Sequence, residues 1–184
     1  MNRSDVPADD VIAQTAHLRF VKRGGWSYVE RTTASGVVCI VARTREDRIV
    51  LVEQYRPPVA RRVIELPAGL CGDLADQADE ALEIAAMREL LEETGYRATK
   101  MRNVATVASS AGMTNEMVTI FVADQIEKVE SGGGDESEDI TVHEISLAAI
   151  DDWLKQSQQS GKLVDARVYS GLYFLRRESD VHVG

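Results

Sequence analysis

Three glutamates carry the chemistry that this 184-residue chain advertises. Glu89, Glu92 and Glu93 fall at i, i+3 and i+4, so a helix through them holds three carboxylates on one face. Taken as structure alone, the run Arg88-Glu89-Leu90-Leu91-Glu92-Glu93-Thr94-Gly95-Tyr96 is poorly chosen. Glu89 and Glu93 repel across one turn, and Glu92 and Glu93 stand in the last turn, where the helix dipole favours cations. Each penalty is about 0.2–1 kcal/mol, and all share one sign. A hard divalent cation reverses that sign, because Mg²⁺ takes oxygen ligands and keeps room for water and phosphate. The competing reading of the same three residues is a solvated acidic face. Gly95 suits the left-handed position that ends a helix.

The wider pattern decides between them. Glu80, seven residues, then Arg88-Glu89-Leu90-x-Glu92-Glu93-x-Gly95-Tyr96 resembles the second half of the Nudix box, whose enzymes hydrolyse nucleoside diphosphates linked to a further moiety. The spacing agrees without a gap over 17 residues. The family's glycine is expected six residues before the first glutamate, where this chain has Leu74; the matching glycine is Gly69, eleven residues before Glu80. A five-residue insertion between Cys71 and Ala78 accounts for the offset, and lengthening a loop costs little. The resemblance implies Glu89 and Glu93 as the main Mg²⁺ ligands, with Mn²⁺ as a substitute ion, Glu92 sharing a second ion, and the carbonyl of Ala68 as a further ligand. It gives Arg88 a structural role, holding the carboxylates through Glu80. Bound metal neutralises diphosphate oxygens and acidifies water.

Three further stretches resemble one subgroup, the ADP-ribose and nucleoside-diphosphate-sugar pyrophosphatases. Val52-Glu53-Gln54-Tyr55-Arg56 stands ahead of Glu65-Leu66-Pro67-Ala68-Gly69. That match implies that Arg56 reaches the substrate phosphates, a task suited to its planar donor fork. Ala111-Gly112-Met113-Thr114-Asn115-Glu116 occupies the place of a substrate-contacting loop, with Met113 as the contact, although the usual proline before the glycine is absent. Asp135-Glu136-Ser137-Glu138-Asp139-Ile140-x-Val142-His143 implies that Glu136 orients or deprotonates the attacking water. Glu138 matches a position that reaches a metal and the substrate, and which of the two is the base stays open. His143 lies inside a strand and reads as structural. In this subgroup the N-terminal hairpin is exchanged between subunits, which implies a homodimer and a nucleobase stacked on Trp26 or Tyr28. Trp26 packed beneath its own turn is the other reading.

The implied activity is Mg²⁺-dependent hydrolysis of ADP-ribose or a related nucleoside diphosphate sugar to a nucleoside monophosphate and a sugar phosphate. Two alternatives stand beside it: a pyrophosphatase that sanitises nucleoside triphosphates, and a non-catalytic ADP-ribose-binding module.

These residues need a frame. His17–Val21 and Trp26–Thr32 flank Gly24-Gly25, which predicts a hairpin; residues 1–14 read as weakly ordered. The β-branched runs 36–43 and 48–54 predict a strand pair, and Tyr55-Arg56-Pro57-Pro58 breaks the second. A short strand over 62–66 leads into Pro67-Ala68-Gly69. A helix follows over 79–94, with Leu82, Ile84, Ala85, Ala86, Leu90 and Leu91 facing a core. Strands are expected over 101–109, 116–124 and 140–145. The glycine-rich, acidic stretch 128–139 reads as a mobile loop. Ser146 caps a helix to about Gln159, with Leu147, Ile150 and Leu154 on one face, and Asp165 caps the last one. The class is α/β: an α/β/α sandwich around a mixed sheet, with an N-terminal β-hairpin. Residues 1–35 form the hairpin segment, 36–178 the hydrolase domain and 179–184 a tail.

Net charge −9 and a pI near 4.9 argue against a nucleic-acid polymer as partner, since that needs a basic stripe. A small anionic substrate stays compatible, because metal ions and local arginines set the sign inside a cleft. The apolar runs are too short to span a membrane. Met1–Asp10 has no apolar leader core, and two cysteines make no disulfide framework. A reducing cytoplasm is the expected location. Cys39 reads as a core residue, and Cys71 falls in the inserted loop, where a reactive thiol is the lesser reading.

Overall fold

The computed structural model describes residues 9–72, 79–134 and 139–181. The first three strands, β1 (Asp10–Gln14), β2 (Leu18–Arg23) and β3 (Trp26–Arg31), form an antiparallel sheet of their own. The hairpin over Gly24-Gly25 is thus present, with Arg23 facing Trp26 across the turn. The expectation of weak order over residues 1–14 fails at Asp10–Gln14, which pairs with β2; residues 1–8 lie outside the described residues. Every residue of that strand is exposed, so no burial pattern marked it in the sequence.

The second sheet has nine strands. β4 (Gly36–Thr44), β5 (Arg48–Arg56), β6 (Arg61–Glu65) and β7 (Ala68–Cys71) lead to helix α1 (Leu82–Thr94). β8 (Tyr96–Arg97), β9 (Arg102–Ala108), β10 (Met117–Lys128) and β11 (Thr141–Ser146) follow, then α2 (Ile150–Gln159), β12 (Leu163–Val164) and α3 (Ala166–Val181). β10 runs parallel to β4 and β12 parallel to β6, whereas the other pairings are antiparallel. The sheet is therefore mixed, as expected. The 36–54 strand pair is looser than its sequence implied: β4 and β5 share two residue pairs, and β4 spends its length on β10 and β7. Pro57 ends β5 and opens a single 3₁₀ turn, Pro57–Val59.

β4 shows why helices cover both faces. Its apolar run from Val37 to Ala42 is buried throughout, the signature of a strand enclosed on two sides. Val37, Cys39 and Val41 enter one core with Ile150 and Leu154 of α2 and Val168, Leu172 and Leu175 of α3. Val38, Ile40 and Ala42 enter the other with Ala85, Ala86 and Leu90 of α1. Side-chain alternation thus divides one strand between two layers, and the α/β/α sandwich follows.

Several local expectations need correction. Helix α1 starts at Leu82 rather than near Asp79, and Ala81 precedes it without a side-chain cap. Ile84 points to solvent. Ser146 does not cap α2: it closes the ladder of β11 on Arg48, and Ala149 takes the cap position. Leu147 consequently lies outside the helix, although it still packs on the same core. Cys71 is no loop thiol; it ends β7, is buried, and its Sγ lies 2.9 Å from the Glu80 carbonyl oxygen. Burial likewise pushes the Cys39 thiol up to about 12. Asp165 does cap α3, its Oδ1 accepting the Arg167 N–H at 2.7 Å. Among the described residues no helix is long and apolar enough to cross a membrane.

Candidate active site

Helix α1 ends as its sequence predicts and carries its carboxylates into a crowded corner. Gly95 is left-handed (φ 72°) and its N–H reaches the Leu91 carbonyl at 2.7 Å. A side chain there would collide with the Glu130 backbone. The unfavourable last turn is relieved from elsewhere in the chain. Gly133 and Gly134 donate to the carbonyls of Glu93 and Glu92 at 2.8 and 3.0 Å, and the Lys128 ammonium donates to that of Thr94 at 2.8 Å. The cation that the helix dipole favours thus comes from the end of β10.

The three glutamates differ in environment. Glu93 is only 3% exposed, and its Oε2 accepts the Ala68 N–H at 3.0 Å. Glu89 is partly buried against Gly69, whose missing Cβ leaves the space that the Glu89 carboxylate fills. Glu92 is exposed. Arg88 stands among them: one nitrogen, Nη1, donates to Glu89 at 2.9 Å and to Glu92 at 3.0 Å. Its Nε and Nη2 grip Glu80 at 3.2 and 3.1 Å, and Nη2 also reaches the Leu70 carbonyl. Glu80, first among these causes, together with the other carboxylates pushes the Arg88 pKa further up. Arg88 thus holds the array through Glu80, as read from the sequence.

Whether a cation suits this place can be judged from the donors. All are carboxylate or carbonyl oxygens, the set that a hard divalent ion takes. Glu89 and Glu92 already share one positively charged nitrogen, which marks where positive charge is favoured. Gly69 lets the Ala68 loop close directly on Glu89. Among the described residues no three acidic, histidine or cysteine side chains converge as a ready cage, because Glu89 and Glu92 are turned toward Arg88. The donor set fits; loading it requires those two side chains to swing off the guanidinium.

A cleft of about 1520 Å³ runs past this array. Glu89, Glu92, Glu93, Ala68 and Gly69 line it together with Arg56, so the structure brings the box residues and the expected phosphate contact into one space. Arg56 is held by Glu65, its Nε donating to Oε2 at 2.8 Å. Glu65, Asp165, Arg167, Arg31 and Glu116 also line the cleft; the sequence reading gave the first four no site role and had Glu116 only as the end of the expected substrate-contacting loop. The available signal was an acid, Glu65, closing a strand-like run two residues before Pro67.

Trp26, Tyr28 and Met113 do not line that cleft within one chain. Tyr28 is buried, with its hydroxyl donating to Asp9 at 3.1 Å and the Arg23 guanidinium over its ring; burial, then this contact, raises its pKa. Trp26 is 61% exposed and Met113 68%. Both belong to the dock between the N-terminal sheet and the 110–116 loop. There Trp26 Nε1 donates to the Gly112 carbonyl at 3.3 Å and the Val29 N–H to that of Met113 at 2.8 Å. Glu136 and Glu138 lie outside the described residues. His143 sits on β11, its Nε2 2.9 Å from Glu53 Oε2, which agrees with a structural histidine.

The geometry has counterparts among known proteins. The NUDIX domain model matches residues 32–165. An ADP-ribose pyrophosphatase of Bacillus subtilis (strain 168) is 34% identical over 142 residues, 77% of this chain and 72% of that protein. A methanol dehydrogenase activator of Bacillus methanolicus is 32% identical over the same shares. Among solved structures, one described as an ADP compounds hydrolase superposes with a TM-score of 0.71 at 20% identity, covering 96% of this chain and 94% of that one; it bears out the fold. With the family model spanning well over half of the sequence, and the box residues gathered at one cleft, the chain belongs to the Nudix hydrolase family.

Proposed function

We propose that the chain hydrolyses the diphosphate bond of ADP-ribose or a related nucleoside diphosphate sugar, with Mg²⁺ as its cofactor. The observation that carries this reading is the cleft itself, in which the α1 carboxylates and the Arg56 fork line one space. Relatives named ADP-ribose pyrophosphatase support the substrate class. Glu89, Glu92, Glu93 and the Ala68 carbonyl would hold the ion. Bound there, Mg²⁺ supplies charge neutralisation at the diphosphate and acidifies water.

The chain's own residues do the rest. Arg56 binds the phosphoryl oxygens and takes up charge that develops on them. Glu136 is the proposed base, with Glu138, two residues on, as the alternative. The water oxygen joins one phosphorus, the bond from that phosphorus to the bridging oxygen breaks, and the water proton passes to the base. A nucleoside monophosphate and a sugar phosphate leave. Exposed Val11, Ile12, Leu18 and Phe20 on the N-terminal sheet support a homodimer, which would present Trp26 and Met113 to a partner's nucleobase. Two free, buried cysteines support a reducing cytoplasm.

The test is a panel of ADP-ribose, ADP-glucose, GDP-mannose and nucleoside triphosphates, assayed with and without Mg²⁺. The expected result is kcat/KM highest for a diphosphate sugar and no turnover without metal. A preference for triphosphates, or binding of ADP-ribose with no turnover after Mg²⁺ is added, overturns the reading.

A further inference from the structure

Behind Arg56 stands a chain of alternating charges that the proposed reaction leaves unused. Arg56 Nε donates to Glu65 Oε2 at 2.8 Å, and Arg167 Nη2 lies 3.6 Å from Glu65 Oε1. Arg167 in turn forks onto Asp165, Nε to Oδ1 at 2.8 Å and Nη2 to Oδ2 at 2.7 Å. Asp165 also accepts the Arg167 backbone N–H at 2.7 Å, so the residue that caps α3 anchors this guanidinium as well. All four residues line the cleft.

Glu65 is the pivot. Its side chain is 6% exposed, and a carboxylate so buried is tolerable only with good partners. It has one on each oxygen. Arg167 is fixed at both ends of its side chain, by the first turn of α3 and by Asp165, whereas Arg56 is the more exposed of the two, at 43% against 27%. Among the described residues Glu65 is the only hydrogen-bond partner of the Arg56 guanidinium. Pairing through Nε uses one of five guanidinium donors and leaves the four on the terminal nitrogens. Those are the donors that match two phosphoryl oxygens at once. Pro57 adds a backbone constraint, holding Arg56 extended (φ −107°, ψ 103°).

We propose that Arg167 and Glu65 are positioning residues: Arg167 holds Glu65, and Glu65 aims the Arg56 fork at the substrate diphosphate. The inference rests on the diphosphate reading of the cleft. Arg167 acts through Arg56 rather than on the substrate, so its worth depends on Arg56 being present.

A double-mutant cycle tests this. Arg167→Met, Arg56→Ala and the double variant are assayed on whichever diphosphate sugar the wild type cleaves, with melting temperatures measured alongside. Arg167→Met is expected to lower kcat/KM about tenfold, mostly through KM. In the Arg56→Ala background the same change is expected to cost less than about twofold. Glu65→Gln, which keeps shape and an acceptor, should follow Arg167→Met in the KM shift and supplies the test if Arg167→Met fails to fold. An equal loss in both backgrounds overturns the proposal, because Arg167 would then act independently. So does an unchanged KM with a lowered melting temperature, the mark of a purely structural ion pair. Loss of the substrate reading would appear separately, as a wild type that cleaves no diphosphate sugar in the panel.

Discussion

Two charged clusters in this protein are built to opposite plans. At α1 one arginine, Arg88, serves three carboxylates, those of Glu80, Glu89 and Glu92. Across the sheet one carboxylate, Glu53, serves three side chains: a histidine, a lysine and an arginine. It lies 2.9 Å from His143 Nε2, 2.7 Å from Lys162 Nζ and 3.8 Å from Arg62 Nε. The first is left with surplus negative charge beside a cleft. The second buries one carboxylate among three partners, Arg62 being shared with the exposed Asp139, and it does not line the cleft. A buried carboxylate whose charge is met by its neighbours holds structure, whereas a group left short of cations at a cleft wall is a place for a ligand. Counting acidic residues alone would not separate them.

The contrast breaks first if Glu93 is dispensable. Glu93→Gln keeps an acceptor for the Ala68 N–H but removes one proposed ligand charge. Losing an outer-shell partner of a metal typically costs about 10–100-fold, so losing a ligand should lower kcat by more than about 100-fold. The melting temperature should stay within a few degrees. Steady-state kinetics at saturating Mg²⁺ decide it, and activity within threefold of wild type would remove Glu93 from the metal set.

Arg88→Met sharpens the same comparison. It leaves Glu80, whose side chain is 7% exposed, without its guanidinium, a loss of about 3 kcal/mol. For a chain of this size that is a fall of about 8 °C in melting temperature. The variant also frees Glu89 and Glu92 to repel one another. Added Mg²⁺ should therefore raise its melting temperature more than it raises that of the wild type. An equal gain in both proteins would mean that Arg88 is not standing where positive charge is wanted.

These clusters were unequally legible in the sequence. The α1 array is local: its spacing, its stop at Gly95 and its tie to Glu80 all fall within one stretch of chain, so helix periodicity and side-chain chemistry exposed them. Lys128, which offsets the bad last turn, arrives from β10 and left no local trace. The Glu53 cluster is wholly non-local, since β5, β11 and the residue before β12 meet only once the strands have paired. The same limit explains Glu65 and Arg167, which read as a strand end and a helix residue until α3 is laid beside β6. Errors at element ends had another cause. Ser146 is a good cap by type, but the β11 ladder claimed it, and β1 carries Val11 and Ile12 exposed, where no apolar alternation could announce a strand.

The Glu53 side of the comparison predicts a smaller effect with a distinctive pH signature. Desolvation pushes the Glu53 pKa up, but the hydrogen bonds from Lys162 and His143 outweigh it, and the net direction is below the ordinary 4.5. A carboxyl group depressed in the folded state contributes stability that is fully present above its unfolded value and lost as pH falls through its folded one. Glu53→Gln should therefore cost about 2 kcal/mol near neutral pH, where a charge-assisted hydrogen bond and an ion pair are lost. The gap from wild type should narrow as pH drops below 4.5, because protonation then removes the same charge from the wild type. Catalytic rate per folded molecule should stay within about twofold, since the cluster stands away from the cleft. Melting curves of both proteins across the acid range carry the test. A gap that stays constant down to about pH 3 would mean that the charge on Glu53 contributes nothing. A large loss of kcat at pH 7 would move the cluster from scaffold to site, and the distinction between the two plans would fall with it.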